Sequence, residues 1–468
     1  MELIILCLWM LAILDVSWTR ALDRLLVVSF DGFRYDYLNR SLTPNIQNLI
    51  RQSTYSERIL SVFPSQTFPN HFSIATGRYV EEHGVLANEL MDLQTQEIYK
   101  FGYKLFHYNE TTVPIWTLNE LKKEGRHSGC MMWVGCSMAY QGTNGTYSVE
   151  FDLSIPWDDR IEKSVSWFTD PVKPANLVML YFESPDQEGH IYGPDSPETN
   201  AQIQRVDKTV QKLLQVLKAK NLSDVNLVVL SDHGMESVTL PRIINLTGVI
   251  GDDGKWLGTS PVLQIYPNKG KTDALYERLQ EFSKRNGHFD VYKKQDIPEI
   301  YHYKNCDRAP PILAVAKPKY GFHDLYSWID EIKKKHKLTV TNQTEFGVHG
   351  YDPQTLSMQP FFIAKGPKFE KGLKLDKPLK VVDLYGIFAD VLGLKASPVE
   401  PYNRKLLHPV RSPLVAQEST HLTLALVGYT LASLIALTAL FTLFILFRRR
   451  QEMRNLGYTL VDKDESGI

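Results

Sequence analysis

Six side chains in this sequence combine the donors of a metal site: Asp31, Asp186, His190, Asp232, His233 and His349. Carboxylate and imidazole donors without a cluster of thiols suit zinc, and three or four protein ligands per ion leave a position open for substrate. Their spacing is suggestive in two places. Asp186 and His190 are four residues apart with Gly189 between them, and Asp232 and His233 are adjacent. Taken singly, such features are common: an Asp-x-x-x-His is often a surface pair, and His349 alone is often a satisfied polar histidine. Thr67 adds a hydroxyl just before a helix-like stretch, 71–76. That hydroxyl could serve as an N-cap. The reading favoured beside two metal-ligand groups is a nucleophile, its alkoxide stabilised by a metal ion and the helix N-terminus.

What unites these residues is the segments before them. Leu25-Leu26-Val27-Val28-Ser29-Phe30 leads to Asp31, Leu177-Val178-Met179-Leu180-Tyr181 leads to Asp186 and His190, and Leu227-Val228-Val229-Leu230-Ser231 leads to Asp232 and His233. Each is an apolar, strand-like run. In an open parallel α/β sheet, ligands bind beyond the carboxyl ends of the strands, so three such runs deliver their ligands to one edge. Helical stretches alternate with them. Residues 44–52 follow Thr43 as an N-cap with Pro44 at the first helical position. Residues 202–220 are amphipathic, with Ile203, Val206, Val210, Leu213, Leu214 and Leu217 on one face. The pattern predicts an α/β fold around a mostly parallel central sheet flanked by helices. Between about 251 and 322 it is less regular, with strand-like runs at 262–266 and 312–316, and predicts a smaller inserted subdomain.

The ends carry a different message. Residues 1–21 hold an apolar stretch and small residues at Ser17, Thr19 and Ala21, the pattern of a secretory signal peptide, although Glu2 replaces the usual basic start. Residues 422–447 carry no charge and are long enough to span a bilayer. Arg448, Arg449 and Arg450 follow at once, which places that side in the cytoplasm. The expected organisation is a signal peptide, an extracellular catalytic domain over 22–396, a stalk over 397–421, a membrane helix over 422–447 and a cytoplasmic tail over 448–468. The tail contains Tyr458-Thr459-Leu460-Val461, a tyrosine-type sorting pattern. Asn39, Asn109, Asn144, Asn221, Asn245 and Asn342 open Asn-x-Ser/Thr sequons, which fits a glycosylated surface protein. With Cys7 in the leader, Cys130, Cys136 and Cys306 allow one disulfide and one free thiol, and sequence does not choose the pair. Lys and Arg number 52 against 53 Asp and Glu, so no polyanion-binding surface is implied and no nucleic-acid polymer is expected as partner.

Several motifs in order resemble the ectonucleotide pyrophosphatase/phosphodiesterase family of the alkaline phosphatase superfamily, in its short single-pass form. They are Ser29-Phe30-Asp31-Gly32-Phe33-Arg34, Thr67-Phe68-Pro69-Asn70-His71, Thr76-Gly77, His83-Gly84-Val85 with Asn88, Pro185-Asp186 through Gly189-His190 to Gly193-Pro194, Ser231-Asp232-His233-Gly234-Met235, and His349-Gly350-Tyr351. The resemblance implies an alkaline-phosphatase-like fold and two zinc ions. Asp31, Thr67, Asp232 and His233 would hold one, and Asp186, His190 and His349 the other. Two metals about 4 Å apart can clamp the attacking and leaving oxygens of an in-line displacement. Asn88 would donate to a phosphoryl oxygen. Thr67 would attack phosphorus to form a nucleotidyl-threonine, from which water releases a nucleoside 5′-monophosphate. The nucleobase would lie between Phe68 and an aromatic residue that spacing from Trp133 places at Tyr147, with Tyr181 as a further wall. The implied substrates are extracellular nucleotides or dinucleotides. Choline or lysophospholipid head groups, or an inactive adhesion ectodomain, are the alternatives. Gln66 stands where many members carry lysine, which removes a positive charge and predicts altered polyphosphate handling. Ser184 stands where an acidic residue is common.

Overall fold

In a computed structural model the described residues are 22–396, 406–407 and 413–461. The expected signal peptide and the end of the tail lie outside them. The backbone of the sorting pattern falls at the end of the last helix.

Seven strands form the central sheet: β1 Arg24–Phe30, β2 Thr54–Ser56, β3 Ser128–Met131, β4 Tyr147–Val149, β5 Leu177–Phe182, β6 Val225–Leu230 and β7 Phe362–Lys365, in the order β2-β7-β6-β1-β5-β3-β4. β6, β1, β5, β3 and β4 run parallel. β7 is antiparallel to both its neighbours, so the sheet is mostly parallel. The apolar runs seen in sequence are β1, β5 and β6. They show no polar alternation because every residue of β5 and β6 is buried, as expected when both faces of a sheet are covered. Register places Ser29 beside Tyr181 and Leu230, so the three carboxyl ends are level.

The helices that matter for the site are α1 Pro44–Ile50, α2 Thr67–Thr76, α3 Trp157–Ser166, α4 Asp186–Tyr192, α5 Pro197–Ala219 and α6 Asp383–Leu392. α5 starts earlier than its apolar periodicity indicated. Ser196 accepts the Thr199 N–H at 3.1 Å and Pro197 takes the first helical position, so the cap and not the apolar face sets the start.

Between β6 and β7 lies the smaller subdomain. Its four-stranded antiparallel sheet, in spatial order Gly254–Leu257, Val262–Pro267, Ile312–Ala316 and Phe289–Lys293, packs against helices Thr272–Asn286 and Asp324–His336. Leu263, Ile265, Leu275, Phe289, Ile312 and Phe322 form a core of its own. A two-stranded ribbon, Glu236–Thr239 with Glu345–Val348, carries the chain out of the site after β6 and back to it. The ribbon packs tightly on α4: a Cβ on Gly347 would lie 2.3 Å from the Gly189 carbonyl oxygen.

Cys130 pairs with Cys136, and Cys306 is a buried free thiol. In the segment expected as stalk, Leu406 and Leu407 are buried against the domain core, with Leu407 bridging Phe369. Helix Pro413–Val461 is longer at both ends than the expected span and contains Gly428–Arg454, which is long and apolar enough to cross a membrane, with mean hydropathy 2.4. Asn39, Asn144, Asn221, Asn245 and Asn342 are exposed. Asn109 is half-buried and donates Nδ2–H to the Glu82 carbonyl at 3.1 Å.

Behind the site, fully buried His83 donates Nε2–H to Ser73 Oγ (2.9 Å) and accepts the Val85 N–H at Nδ1 (3.1 Å). Protonating Nδ1 would break the second bond. Burial, helped by the Arg308 guanidinium, presses this imidazole from 6.5 down to about 3. The unfolded chain therefore takes up the proton first. Stability from His83 is complete above about pH 6.5 and is lost as pH falls toward 3, by up to about 1.4 kcal/mol per pH unit. Denaturant titrations across that window are expected to show a shallower fall in His83→Gln than in the parent; equal slopes would contradict this assignment.

Candidate active site

Asp31 follows β1 directly, and Asp232 and His233 follow β6 after Ser231. The left-handed Gly32 (φ 67°) turns the chain here, where a Cβ would lie 2.7 Å from Asp186 Cβ. Gly32 N–H donates to Asp232 Oδ1 at 3.2 Å, and Tyr181 O–H donates to Asp31 Oδ2 at 2.6 Å. His233 Nε2 stands 3.3 Å from Asp31 Oδ1 and 3.1 Å from Asp232 Oδ2. All three side chains are buried.

The second group is built by α4 and the ribbon. Asp186 and His190 lie one turn apart on α4, with Nε2 3.3 Å from Asp186 Oδ2. His349 leaves the end of the ribbon and brings its Nε2 to 3.5 Å from Asp186 Oδ1 and 3.0 Å from His190 Nε2. The rings of His233 and His349 stack at 3.7 Å, which joins the two groups.

Hydrogen bonding in the surroundings shows what these atoms are prepared to bind. Each imidazole donates Nδ1–H to a backbone carbonyl: His190 to Gly347 (2.8 Å), His233 to Gly234 (2.9 Å) and His349 to Ser65 (2.8 Å). In the neutral imidazole this tautomer leaves the Nε2 lone pair facing the site. Two lone pairs then converge where His190 and His349 meet. One oxygen of each carboxylate, Asp31 Oδ1, Asp186 Oδ1 and Asp232 Oδ2, is buried without a hydrogen bond. Orphaned acceptors of this kind converging with imidazole nitrogens fit divalent cations, and the two sets can each hold one.

Charge balance gives the same picture. Burial, then the Asp232 and Asp186 carboxylates, push Asp31 well above the usual carboxylate range. Burial would also raise Asp186, but His190 and His349 outweigh it and hold it at about 2. His233 and His71 likewise hold buried Asp232 well below that range. His190 and His233 are raised because Asp186 and Asp232 outweigh their burial. Burial and neighbouring His233 lower His349 to about 3.

Thr67 is the first residue of α2. Gln66, not Thr67, occupies the cap position, so the threonine hydroxyl is not used as a cap. Its Oγ1 lies 3.3 Å from His233 Nε2. Asn88 Oδ1 accepts the Phe68 N–H at 2.9 Å, which leaves Nδ2 as the free donor. Gln66 bridges the Asn88 N–H (3.3 Å) and Thr259 Oγ1 (3.0 Å), so this neutral side chain fixes the position of Asn88. Ser184 donates to Glu188 Oε2 at 2.7 Å. Sequence reasoning did not single out His71. It is fully buried one turn after Thr67, with Nδ1 2.9 Å from the Thr67 carbonyl and 3.2 Å from Asp232 Oδ2. Its place at the end of the Thr67-Phe68-Pro69-Asn70-His71 motif, one helical turn after Thr67, was the available signal.

Beside Thr67 opens a cavity of about 590 Å³, walled by Phe68, Phe101, Trp133, Phe151 and Tyr181. Phe68 and Tyr181 are both among its walls. Tyr147 is not: its ring stacks on Trp167 at 5.4 Å and its hydroxyl donates to the Lys173 carbonyl. The reason is register. Tyr147 opens β4, at the amino end, whereas the site lies beyond the carboxyl ends. Phe151 lies four residues further along, about 13 Å in strand geometry. Phe101 escaped notice because it comes from a local loop without strand or helix periodicity.

A family model described as type I phosphodiesterase / nucleotide pyrophosphatase matches residues 25–352. Human bis(5′-adenosyl)-triphosphatase ENPP4 is 34% identical over 432 residues, covering 91% of this chain and 89% of its own length. Human ectonucleotide pyrophosphatase/phosphodiesterase family member 5 is 35% identical over 403 residues, covering 83% of this chain and 79% of its own. Among solved structures, murine ectonucleotide pyrophosphatase/phosphodiesterase 5 superimposes with a TM-score of 0.73 at 33% identity, covering 82% of this chain and all of that one. An inactive threonine-to-alanine variant of that murine protein, in complex with AMP, superimposes equally well. The chain belongs to the ectonucleotide pyrophosphatase/phosphodiesterase family and has its alkaline-phosphatase-like fold. It is thus a metal-dependent enzyme of the nucleotide pyrophosphatase/phosphodiesterase class.

Since ions that bind only the folded state stabilise it, chelator-treated protein is expected to melt several degrees higher once Zn²⁺ is restored. Asp186→Asn should show a smaller rise. An identical melting curve with and without the ion would contradict the assignment of these residues as ligands.

Proposed function

We propose that the chain is a cell-surface, two-zinc phosphodiesterase that cleaves phosphodiester and pyrophosphate bonds of extracellular nucleotides or dinucleotides through a nucleotidyl-threonine intermediate. The observation that carries this reading is the position of the Thr67 hydroxyl, 3.3 Å from His233 Nε2 and in the wall of the aromatic cavity. In this reading Asp31, Asp232, His233 and Thr67 hold one ion, and Asp186, His190 and His349 the other. Zinc supplies Lewis-acid stabilisation of the attacking and leaving oxygens when bound.

The remaining chemistry belongs to the chain itself. Thr67 Oγ, having given its proton to solvent, attacks phosphorus, forming a P–O bond as the bond to the leaving oxygen breaks; water then attacks the same phosphorus, breaking the Thr67 Oγ–P bond, returning a proton to Thr67 and releasing the nucleoside 5′-monophosphate. The α2 N-terminus favours negative charge at this position. Asn88, held by the Phe68 N–H, directs Nδ2 to a phosphoryl oxygen. Tyr181 fixes the orientation of Asp31. The base stacks on Phe68, with Phe151 in the role expected of Tyr147. Stacking of this kind is worth about 1–3 kcal/mol and discriminates little among bases. The uncharged part of Gly428–Arg454, ending at Phe447, serves as the membrane anchor, with Arg448, Arg449 and Arg450 inside and the sequons outside.

Thr67→Ala is expected to reduce release of AMP from ATP or a dinucleoside triphosphate to background, with the melting temperature within about 2 °C of the parent. Full activity in that variant would refute the intermediate. Phe68→Ala should raise KM for the same substrates about tenfold, consistent with the loss of one stacking face. An unchanged KM would place the base elsewhere.

A further inference from the structure

A second cavity, of about 690 Å³, adjoins the metal groups and has no part in the reading above. Both cavities have Phe151, Tyr181 and Asp186 in their walls; Thr67 lines only the first and His190 only the second. In-line displacement sends the leaving oxygen away from the attacking one. With attack from Thr67, the expelled group moves toward the His190 side. Two large aromatic faces line that side. Trp328 meets the His190 ring edge-on, centroids 5.9 Å apart, and Trp256, from the inserted sheet, is 37% exposed. Two wall carboxylates are already engaged. Glu183 accepts from Arg160 at 2.6 Å and from Trp157 at 2.9 Å, and Asp324 accepts the Ser260 N–H at 2.8 Å. Glu331, Lys335 and His336 supply further charge to the lining.

Resting on the nucleotide reading, we infer that this second cavity is a leaving-group subsite for the nucleoside half of a dinucleoside polyphosphate, with Trp328 and Trp256 as the faces its base meets. Its volume is comparable to that of the first cavity, so a substrate with a nucleoside at each end can fill both. Between them the polyphosphate passes the metal groups. This division also gives the inserted subdomain a role, since Trp256, Ser260, Asp324 and Trp328 all come from the segment between β6 and β7.

The test compares kcat/KM for a dinucleoside triphosphate with kcat/KM for a nitrophenyl ester of the same nucleotide, using the detergent-solubilised full chain. Trp256→Ala and Trp328→Ala are each expected to lower the ratio of the first to the second about tenfold, and the Phe replacements to keep it within threefold. The ratio corrects for any disturbance that Trp328→Ala passes to His190. If both substrates fall in step, or the ratio is unmoved in both alanine variants, the subsite is refuted while the nucleotide reading stands. A parent chain that cleaves neither substrate refutes both.

Discussion

Three carboxylates are held together in the interior, each with one oxygen that accepts no hydrogen bond. That constraint governs the rest of the structure. Two such charges 4 Å apart repel by about 4 kcal/mol even at the effective dielectric of a protein near its surface. Removing a charged group from water adds several kcal/mol more. The imidazoles offer partial relief: the Asp186 and Asp232 carboxylates outweigh burial and raise His190 and His233. If these six side chains hold the ions proposed, metal and protons would compete for them, and affinity for the ion would fall as pH falls.

Such a cluster persists only because the scaffold leaves it little freedom. β6, β1 and β5 end level, and Gly32 lets Asp31 and Asp186 approach closely. Gly347 lets the ribbon lie against α4, so that His349 reaches Asp186 from a distant part of the sequence. The carbonyls of Gly234, Gly347 and Ser65 then set the tautomer of each histidine. Chemistry, orientation and fold are thus linked by backbone atoms that any residue type could supply, under steric limits that only glycine meets.

This division explains what the sequence could convey. Five of the six candidate ligands were legible because they follow apolar runs that form buried parallel strands; His349 follows the antiparallel ribbon and was legible only from its Gly-Val-His-Gly motif. Thr67 was legible from its motif. The base pocket was read only in part. Phe68 and Tyr181 are tied to regular elements, but Tyr147 was placed by counting across a loop, and a strand's amino and carboxyl ends look alike in composition. Phe101, Trp256 and Trp328 come from segments whose positions depend on tertiary contacts. Pairing of Cys130 with Cys136 was likewise open until three-dimensional proximity decided it. The early start of α5 was present in Ser196-Pro197, although apolar periodicity alone hid it.

Zinc-edge anomalous diffraction from crystals of the protein addresses the cation cluster most directly. The account predicts two peaks. One lies among Asp31, Thr67, Asp232 and His233, the other among Asp186, His190 and His349, with zinc–nitrogen distances of about 2.0–2.1 Å to the Nε2 atoms. A zinc-replete crystal with no peak at these residues, or with only one, would contradict it.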